Sequence, residues 1–199
     1  MSLLEILSQV AGGSTVNQLS RQLGADEATT EKAIAGALPL LIDALSRNAA
    51  SEEGAQALAH AVARDHDGSI LDNANAFLNL DRTDIGEAIL GHVLGGRRGN
   101  VESGLSQLSG LDPGAVGKLL ALLAPLVMGA LGRQQRSRGL DPGDLASMLN
   151  REKEVAVKKA PGAAGMLGSL LDQDGDGQVA DDLARMGAGL LSSFLNQRR

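Results

Sequence analysis

The chain has no cysteine, no tryptophan and no tyrosine, and its only aromatic residues are Phe77 and Phe194. The lack of cysteine excludes disulfide bonds, thiolate metal sites and cysteine nucleophiles. The lack of large aromatic residues means that the core of this 199-residue chain has to be built from leucine, alanine, isoleucine and valine. Such a core favours helices, because alanine loses no side-chain entropy in a helix and leucine loses little.

Long apolar runs are also missing. The most apolar stretch, residues 119–131 (LLALLAPLVMGAL), is shorter than the roughly 20 residues that a membrane-spanning helix needs. The N-terminus has no basic region and carries Glu5, which is not typical of a signal peptide. The sequence therefore predicts a cytoplasmic protein without a membrane span.

Charge is present but unevenly distributed along the chain. The net charge is −6, with residues 1–96 acidic and residues 97–160 basic. The two regions could pair within one chain or between copies. The simpler interpretation, which we favour, is that both are solvated faces.

Local patterns mark where helices begin and end. A capping box before an apolar stripe, Asp–Pro pairs in two GLDPG strings and acidic first turns are all typical of helix starts. Pro39 lies inside a helical pattern and is expected to divide that helix into two pieces. The predicted N-caps are Ser2, Asp26, Ser51, Ser69, Asp112 and Asp141, and a further helix is predicted to start at Asp84. Glycines are predicted to end helices at Gly12, Gly24 and Gly95. Residues 97–100 are predicted to form a polar link, and the helix after Pro142 is predicted to end near Leu149.

The chain also repeats itself. Residues 19–41 align with residues 105–127 at a shift of 86, so that Asp26 coincides with Asp112 and Pro39 with Pro125. We therefore predict an all-α, multi-helix bundle with two pseudo-repeated helix–turn–kinked-helix units and a C-terminal acidic loop plus amphipathic helix. The predicted divisions are a bundle over 1–149 (with units 14–96 and 100–149), a charged helix and hinge over 150–165, and the acidic-loop helix segment over 166–199.

These blocks together resemble a known family. The start MSLLEILSQV, the block LGADEATTEKAIAGALPLLIDALSRNA, the strings HDGSILDN and GHVLGG, the block SGLDPGAVGKLLALLAPLVMGALGRQ and the ending LLDQDGDGQVADDLARMGAGLL look like the YidB-like family of uncharacterised bacterial proteins, domain of unknown function 937. The resemblance implies an all-helical bacterial protein. It implies no activity, substrate or catalytic residue.

The acidic loop is the best chemical motif. Asp172, Asp174 and Asp176 occupy positions 1, 3 and 5 of an EF-hand-like loop, and Gly177 occupies the sharp turn at position 6. Gln178 at position 7 would offer its backbone carbonyl. The glutamate expected at position 12 is replaced by Leu183, so Asp182 would have to complete the Ca²⁺ site. The alternative is a solvated turn whose acids cap the last helix.

A second, fainter acidic pattern matches less well. Asp65, Asp67, Gly68 and Asp72 are its matching positions, and we interpret it as a turn. The stretch QLSRQLGADEATTEKAI has the small-residue turn of a DNA-binding helix–turn–helix. Its second helix carries Asp26, Glu27 and Glu31 against Lys32 alone, which argues against binding to phosphates.

The sequence therefore predicts a non-enzymatic protein that acts by contact with itself or with another protein, because no catalytic or cofactor motif appears. The first alternative is a calcium-responsive module with its loop at 172–182. The second alternative, a nucleic-acid binder, is disfavoured, and no cofactor other than Ca²⁺ is implied.

Overall fold

The computed structural model describes residues 2–80 and 82–159, and about 86% of it is helical. The all-α prediction is confirmed, and the described ranges contain no strand. Two short 3-10 turns, η1 and η2, join some of the helices. The elements are α1 (Leu3–Val10), α2 (Ser14–Leu23), α3 (Glu27–Asn48), α4 (Glu52–Asp65), η1 (Ser69–Asn73), α5 (Ala74–Asn79), α6 (Thr83–Val93), η2 (Gly95–Arg97), α7 (Arg98–Ser109), α8 (Pro113–Arg138) and α9 (Pro142–Lys159).

Five of the predicted N-caps are confirmed. Ser2 and Glu5 form a reciprocal capping box at the start of α1. Asp26 accepts a hydrogen bond from the backbone N–H of Thr29, and its pKa is lowered mainly by that bond. The same kind of bond, from a free N–H of the first turn to the cap side chain, occurs at Ser51, Asp112 and Asp141. These short-range bonds satisfy backbone donors that no helix can satisfy by itself.

The prediction that Pro39 divides its helix is wrong, because α3 is continuous from Glu27 to Asn48. A proline inside a helix removes one backbone hydrogen bond and costs about 3 kcal/mol. The residues on both sides of Pro39 are buried, including Leu38, Leu40 and Leu41. Each buried leucine contributes roughly 1.5–3 kcal/mol, so tertiary packing holds the two halves of α3 in one helix.

The predicted end near Leu149 is also wrong, because α9 continues to Lys159. The buried stripe of this helix does not stop at Leu149 but continues to Glu152 and Ala156. The charged residues beyond position 150 therefore belong to the same helix, with one face against the bundle.

Two further local predictions need correction. Ser69 does not cap an α-helix; it begins the 3-10 turn η1, and its backbone N–H donates to the Asp67 carboxylate at 2.9 Å. Residues 97–100 are not a polar link, because α7 already begins at Arg98. Both segments follow glycines with positive φ, Gly68 and Gly95, which turn the chain within one residue.

The longest helix, α8, forms the centre of the bundle together with α3. Helices α1, α4, α6 and α7 and the turn η1 all pack against α8, whereas α9 packs mainly against α3 and α4. The last helix of each predicted unit thus contacts the central helix of the other unit. Gly24 and Gly110 both take the left-handed conformation, and both precede an Asp N-cap by two residues, an arrangement consistent with the predicted repeat.

By length and composition alone, α8 could cross a membrane, and it is the only described helix that meets this criterion. In the structure, 83% of its most apolar window is buried inside the bundle. Burial of this kind is also what the core helix of a soluble protein shows, so the criterion is weak evidence for a span. The predicted lack of a membrane span stays a prediction.

Glycines allow the neighbouring elements to approach α8 very closely. A Cβ atom at Gly86 of α6 would lie 1.7 Å from the backbone oxygen of Ala121 in α8. A Cβ atom at Gly132 of α8 would lie 1.6 Å from the backbone oxygen of His66. Neither oxygen can move without moving a buried backbone, so both positions require glycine.

We expect Gly86→Ala to lower the free energy of unfolding by at least about 2 kcal/mol, because α6 must move away from α8. Gly91 is the matched control, since it lies in the same helix with no atom within 4 Å of its would-be Cβ. Gly91→Ala should stabilise the protein by about 0.5–1 kcal/mol through helix propensity. Urea unfolding followed by circular dichroism measures both, and equal effects of the two substitutions would contradict the close contact.

Candidate functional site

The predicted calcium ligands Asp172, Asp174, Asp176, Gln178 and Asp182 lie outside the described residues. The fainter acidic pattern lies within them and is a turn, as predicted, between α4 and η1. Its carboxylates face arginines: Asp65 contacts Arg64 at 2.6 Å and Asp72 contacts Arg133 at 2.5 Å. Across residues 2–80 and 82–159, no group of three His, Asp or Glu residues could hold a metal ion.

The same turn places His66 at a small cavity of about 130 Å³, which Ile70, Phe77 and Pro125 also line. Burial lowers the pKa of the His66 imidazole, and Asp65 partly opposes this effect. The neutral imidazole is therefore favoured. Asp65, Asp67 and Ser69 line its polar side, and Asp65 and Asp67 pair with Arg64 and Arg136. Because the cavity is small and these acids are already paired, it resembles a gap beside a structural histidine more than a catalytic pocket.

A second cavity, of about 340 Å³, lies between α6, α7 and α8 and contains a charged cluster. The Arg98 guanidinium donates to Glu87 at 2.8 Å and to Glu102 at 2.6 Å, and these bonds raise its pKa. Gly117 of α8 leaves room for the Glu102 carboxylate, which would lie 3.0 Å from a Cβ atom there. The two carboxylates share one guanidinium, and the bond from Arg98 to Glu87 joins α7 to α6.

A buried carboxylate connects the two ends of the described chain. Glu152 of α9 is only 8% exposed, and its two oxygens accept hydrogen bonds from the backbone N–H groups of Leu3 (2.9 Å) and Leu4 (3.3 Å). These donors are free N–H groups of the first turn of α1, where the helix dipole favours a negative charge. The carboxylate therefore fixes the start of α1 to α9.

Polar contacts also hold α9 along α3. The Ser46 hydroxyl donates to the side-chain oxygen of Asn150 at 2.7 Å. Lys153 and Arg47 both contact the Asp43 carboxylate, at 2.7 Å and 3.0 Å. These contacts and Glu152 explain why α9 stays ordered along its charged half. The sequence analysis missed Glu152, although its position four residues after Met148 and seven after Leu145 places it on the apolar stripe.

In the helix–turn–helix formed by α2 and α3, most of the second helix is buried in the core. Ala33, Ile34 and Ala37 are buried, whereas the exposed residues of the first turns include Glu27 and Glu31. The acidic surface is the one that the sequence indicated. That this unit does not bind DNA stays a prediction.

An open groove between the N-terminal helices and the η1–α5 segment differs from the charged cavities. Its volume is about 670 Å³. The residues that line it come from three distant parts of the chain and are mostly apolar or uncharged polar. They are Ile6, Gln9, Val10, Gly12, Ser14, Thr15, Leu71, Asp72, Asn73, Ala74, Asn75, Ala76 and Arg133.

Hydrogen bonds fix the walls of this groove, which we call the α1–α5 groove. The Thr15 hydroxyl and the Ser14 hydroxyl both contact the Asn75 side chain, at 3.1 and 2.9 Å. Gln18 donates to the Asn75 carbonyl at 3.0 Å and so joins α2 to α5. The charged residues of the groove, Asp72 and Arg133, pair with each other, which leaves its surface without net charge.

The fold and this groove define an all-helical protein with an aliphatic core and a groove without net charge. A family model described as "Bacterial protein of unknown function (DUF937)" matches residues 5–134, from α1 into α8. The chain belongs to this family, and the resemblance noted in the sequence is confirmed. No curated protein and no solved structure matches the chain.

We expect Glu152→Gln to lower the free energy of unfolding by about 1–3 kcal/mol. The amide keeps only one acceptor oxygen for two backbone donors, and it loses the negative charge at the start of α1. The matched control is Glu154→Gln, because Glu154 lies on the same helix with its side chain exposed. Urea unfolding decides the question: equal stabilities of the two variants would show that Glu152 does not hold α1.

Proposed function

We propose that this protein is a non-enzymatic binding module whose α1–α5 groove holds an amphipathic segment of a protein, either a partner or a second copy. The observation that carries the proposal is the composition of the groove. Its buried residues are Thr15, Leu71 and Ala74, most of its exposed residues are polar and uncharged, and its one cation is paired with its one anion.

The floor offers apolar contact without a deep pocket. Leu71 and Ala74 are 8% exposed and form the base, whereas Ile6 and Val10 present the half-buried edge of α1. Grooves of this kind bind the apolar face of a helix through residues spaced three or four apart. The polar rim can meet the flanks of such a helix without removing any net charge from water.

The groove is preformed, which favours binding. Asn75, which lines the groove, bonds to Thr15 and Gln18 and so joins α5 to α2, whereas Glu152, outside the groove, holds the start of α1 to α9. A rigid wall has less conformational entropy to lose when a ligand binds. The fixed walls therefore favour a ligand whose shape fits the groove.

The charged clusters of the described ranges support a role other than catalysis. Arg98 lies between two glutamates, and Asp72 and Asp43 contact basic side chains. Catalytic groups need perturbed and accessible acids or bases that converge on one point. In these clusters the charges are instead used to join helices.

Peptide selection on the full chain tests the proposal. Short random peptides are selected on the wild-type protein and then titrated against Ala76→Asp, which adds a carboxylate at an exposed position of the groove. We expect selected peptides to carry apolar residues at helical spacing and to bind Ala76→Asp at least about tenfold more weakly, a loss of about 1.4 kcal/mol.

Ala63→Asp is the matched control, because Ala63 is exposed on α4 and does not line the groove. It should leave binding unchanged. If no peptide is enriched, or if both substitutions weaken binding equally, the groove is not a binding surface.

A calcium-responsive module is the second candidate, and the alternating Asp172, Asp174 and Asp176 with Gly177 at position 6 favour it. Excess Ca²⁺ at a hundred times the dissociation constant should stabilise the protein by about 2.7 kcal/mol relative to EDTA. Replacing both Asp174 and Asp176 with Asn should abolish the shift, because it removes two charged ligands. Thermal unfolding followed by circular dichroism measures it.

The control for this experiment is Asp65→Asn in the fainter acidic turn, where the carboxylate is paired with Arg64. This variant should keep the full Ca²⁺ shift. A shift that persists in the double variant, or its absence in the wild-type protein, would rule out the loop as a calcium site.

A further inference from the structure

We propose that the α1–α5 groove and the adjoining exposed face of α5 bind a second copy of this chain, with Leu80 of each copy entering the groove of the other. This inference rests on the proposed binding role of the groove and names its partner. The contact is isologous: the same surface of both copies takes part, and a closed dimer results.

Leu80 is the most exposed large apolar side chain among the described residues, at 67%. It follows α5 directly, keeps helical backbone angles and lies four residues after Ala76, so the two side chains share one face of α5. Ala76 is exposed and lines the groove, together with Ile6, Val10 and Leu71. One surface therefore carries both an exposed apolar side chain and a groove with apolar residues.

The segments around Leu80 are free of charge. Residues 8–17 and 73–80 contain no charged residue in a chain that is 21% charged, and Asn75 joins the two segments by hydrogen bonds. The two charged residues that line the groove, Asp72 and Arg133, pair with each other. The whole chain has a net charge of −6, so two copies repel each other where their acidic surfaces meet. Between identical chains, an uncharged surface gives the least repulsion.

The polar residues of this surface are able to pair with their own kind. Gln9, Ser14, Asn73 and Asn79 are exposed on these segments. An amide or hydroxyl side chain both donates and accepts hydrogen bonds, so it can bond to the same side chain of another copy. A carboxylate only accepts and an ammonium group only donates, and each repels its equivalent across a two-fold axis. The composition of the surface thus fits a second copy better than a charged partner.

The sizes of the side chains on α5 also fit a two-fold contact. When the α5 helices of two copies cross in opposite directions, Leu80 of each copy lies over Ala76 of the other. A large side chain against a small one fills the space between two helices without overlap. The same crossing brings Leu80 to the apolar residues of the opposite groove.

The other exposed large apolar side chains of the described ranges have different surroundings. Val155 and Val157 of α9 are 36% and 45% exposed, and the exposed residues beside them are Arg151, Glu154 and Lys158. A contact between two copies at this surface would remove these charges from water or place like charges together. The α9 surface is therefore less suited to a second copy, and it supplies a control.

Sedimentation equilibrium of the full chain, over a wide range of protein concentration, tests the inference. We expect a reversible monomer–dimer equilibrium for the wild-type protein. Leu80→Asp should weaken the dimer at least about tenfold, a loss of about 1.4 kcal/mol, because it places a carboxylate against the apolar residues of the groove. Val157→Asp is the matched control, since it changes an exposed valine outside the surface in the same way, and it should leave the dimer unchanged.

A mixture of two variants tests which residues meet. Ala76→Lys alone should also weaken the dimer, because two ammonium groups then lie at the contact. Mixed with Leu80→Asp, it should form a heterodimer at least about tenfold more tightly than either variant pairs with itself, since the introduced charges are opposite. Circular dichroism checks that each variant folds, and Leu80→Asn replaces Leu80→Asp if that variant does not.

Three results would overturn the inference: a wild-type protein that stays monomeric, a dimer that Leu80→Asp and Val157→Asp weaken equally, or a mixture that forms no heterodimer. Peptide selection decides the proposed function separately, because Leu80 does not line the groove. If selected peptides bind the Leu80→Asp variant but no dimer forms, the groove binds other proteins only. If no peptide is enriched on either protein, the proposed function fails as well.

Discussion

The fold depends on burying α8 in a core that has almost no aromatic side chains. Leucine, alanine and valine fill less space than phenylalanine or tryptophan, so the helices around α8 have to come close for the core to be dense. Glycine makes this possible where backbones meet: Gly86 lies against Ala121 and Gly132 against His66, at distances that exclude a Cβ atom. Glycine is unfavourable inside helices in general, but at these two positions the helices could not pack this closely without it.

Close packing around α8 leaves the outer helices to be fixed by polar contacts. Helix α9 has a charged second half, in which Ala156 is the one buried apolar residue among those that the structure describes. Glu152 caps α1, Asn150 accepts from Ser46, and Lys153 contacts Asp43. Each of these contacts joins residues that are about 100 or more positions apart, so α9 connects the two ends of the described chain. The α1 wall of the groove is consequently held by a residue of α9.

The parts of the fold that could be predicted from the sequence depend on short-range chemistry. Ser2, Asp26 and Asp112 cap helices because their side chains bond to N–H groups two or three residues away. The errors arose where contacts between distant residues determine the length of a helix. Tertiary packing keeps α3 continuous at Pro39, and the buried stripe of α9 continues beyond Leu149. The groove could not be predicted, because no short-range pattern brings Ile6, Ala74 and Arg133 together. The predicted calcium ligands lie beyond the described residues, so that prediction is left to experiment.

The α1–α5 groove depends on contacts between residues that are far apart in the sequence. Glu152 of α9 holds the start of α1, the helix that carries Ile6 and Val10 of the groove. On the other side, Asn75 of α5 bonds to Thr15 and Gln18 of α2. A substitution at Glu152 would therefore affect the α1 wall although Glu152 does not line the groove, so the stability of the bundle and the shape of the groove depend on the same carboxylate.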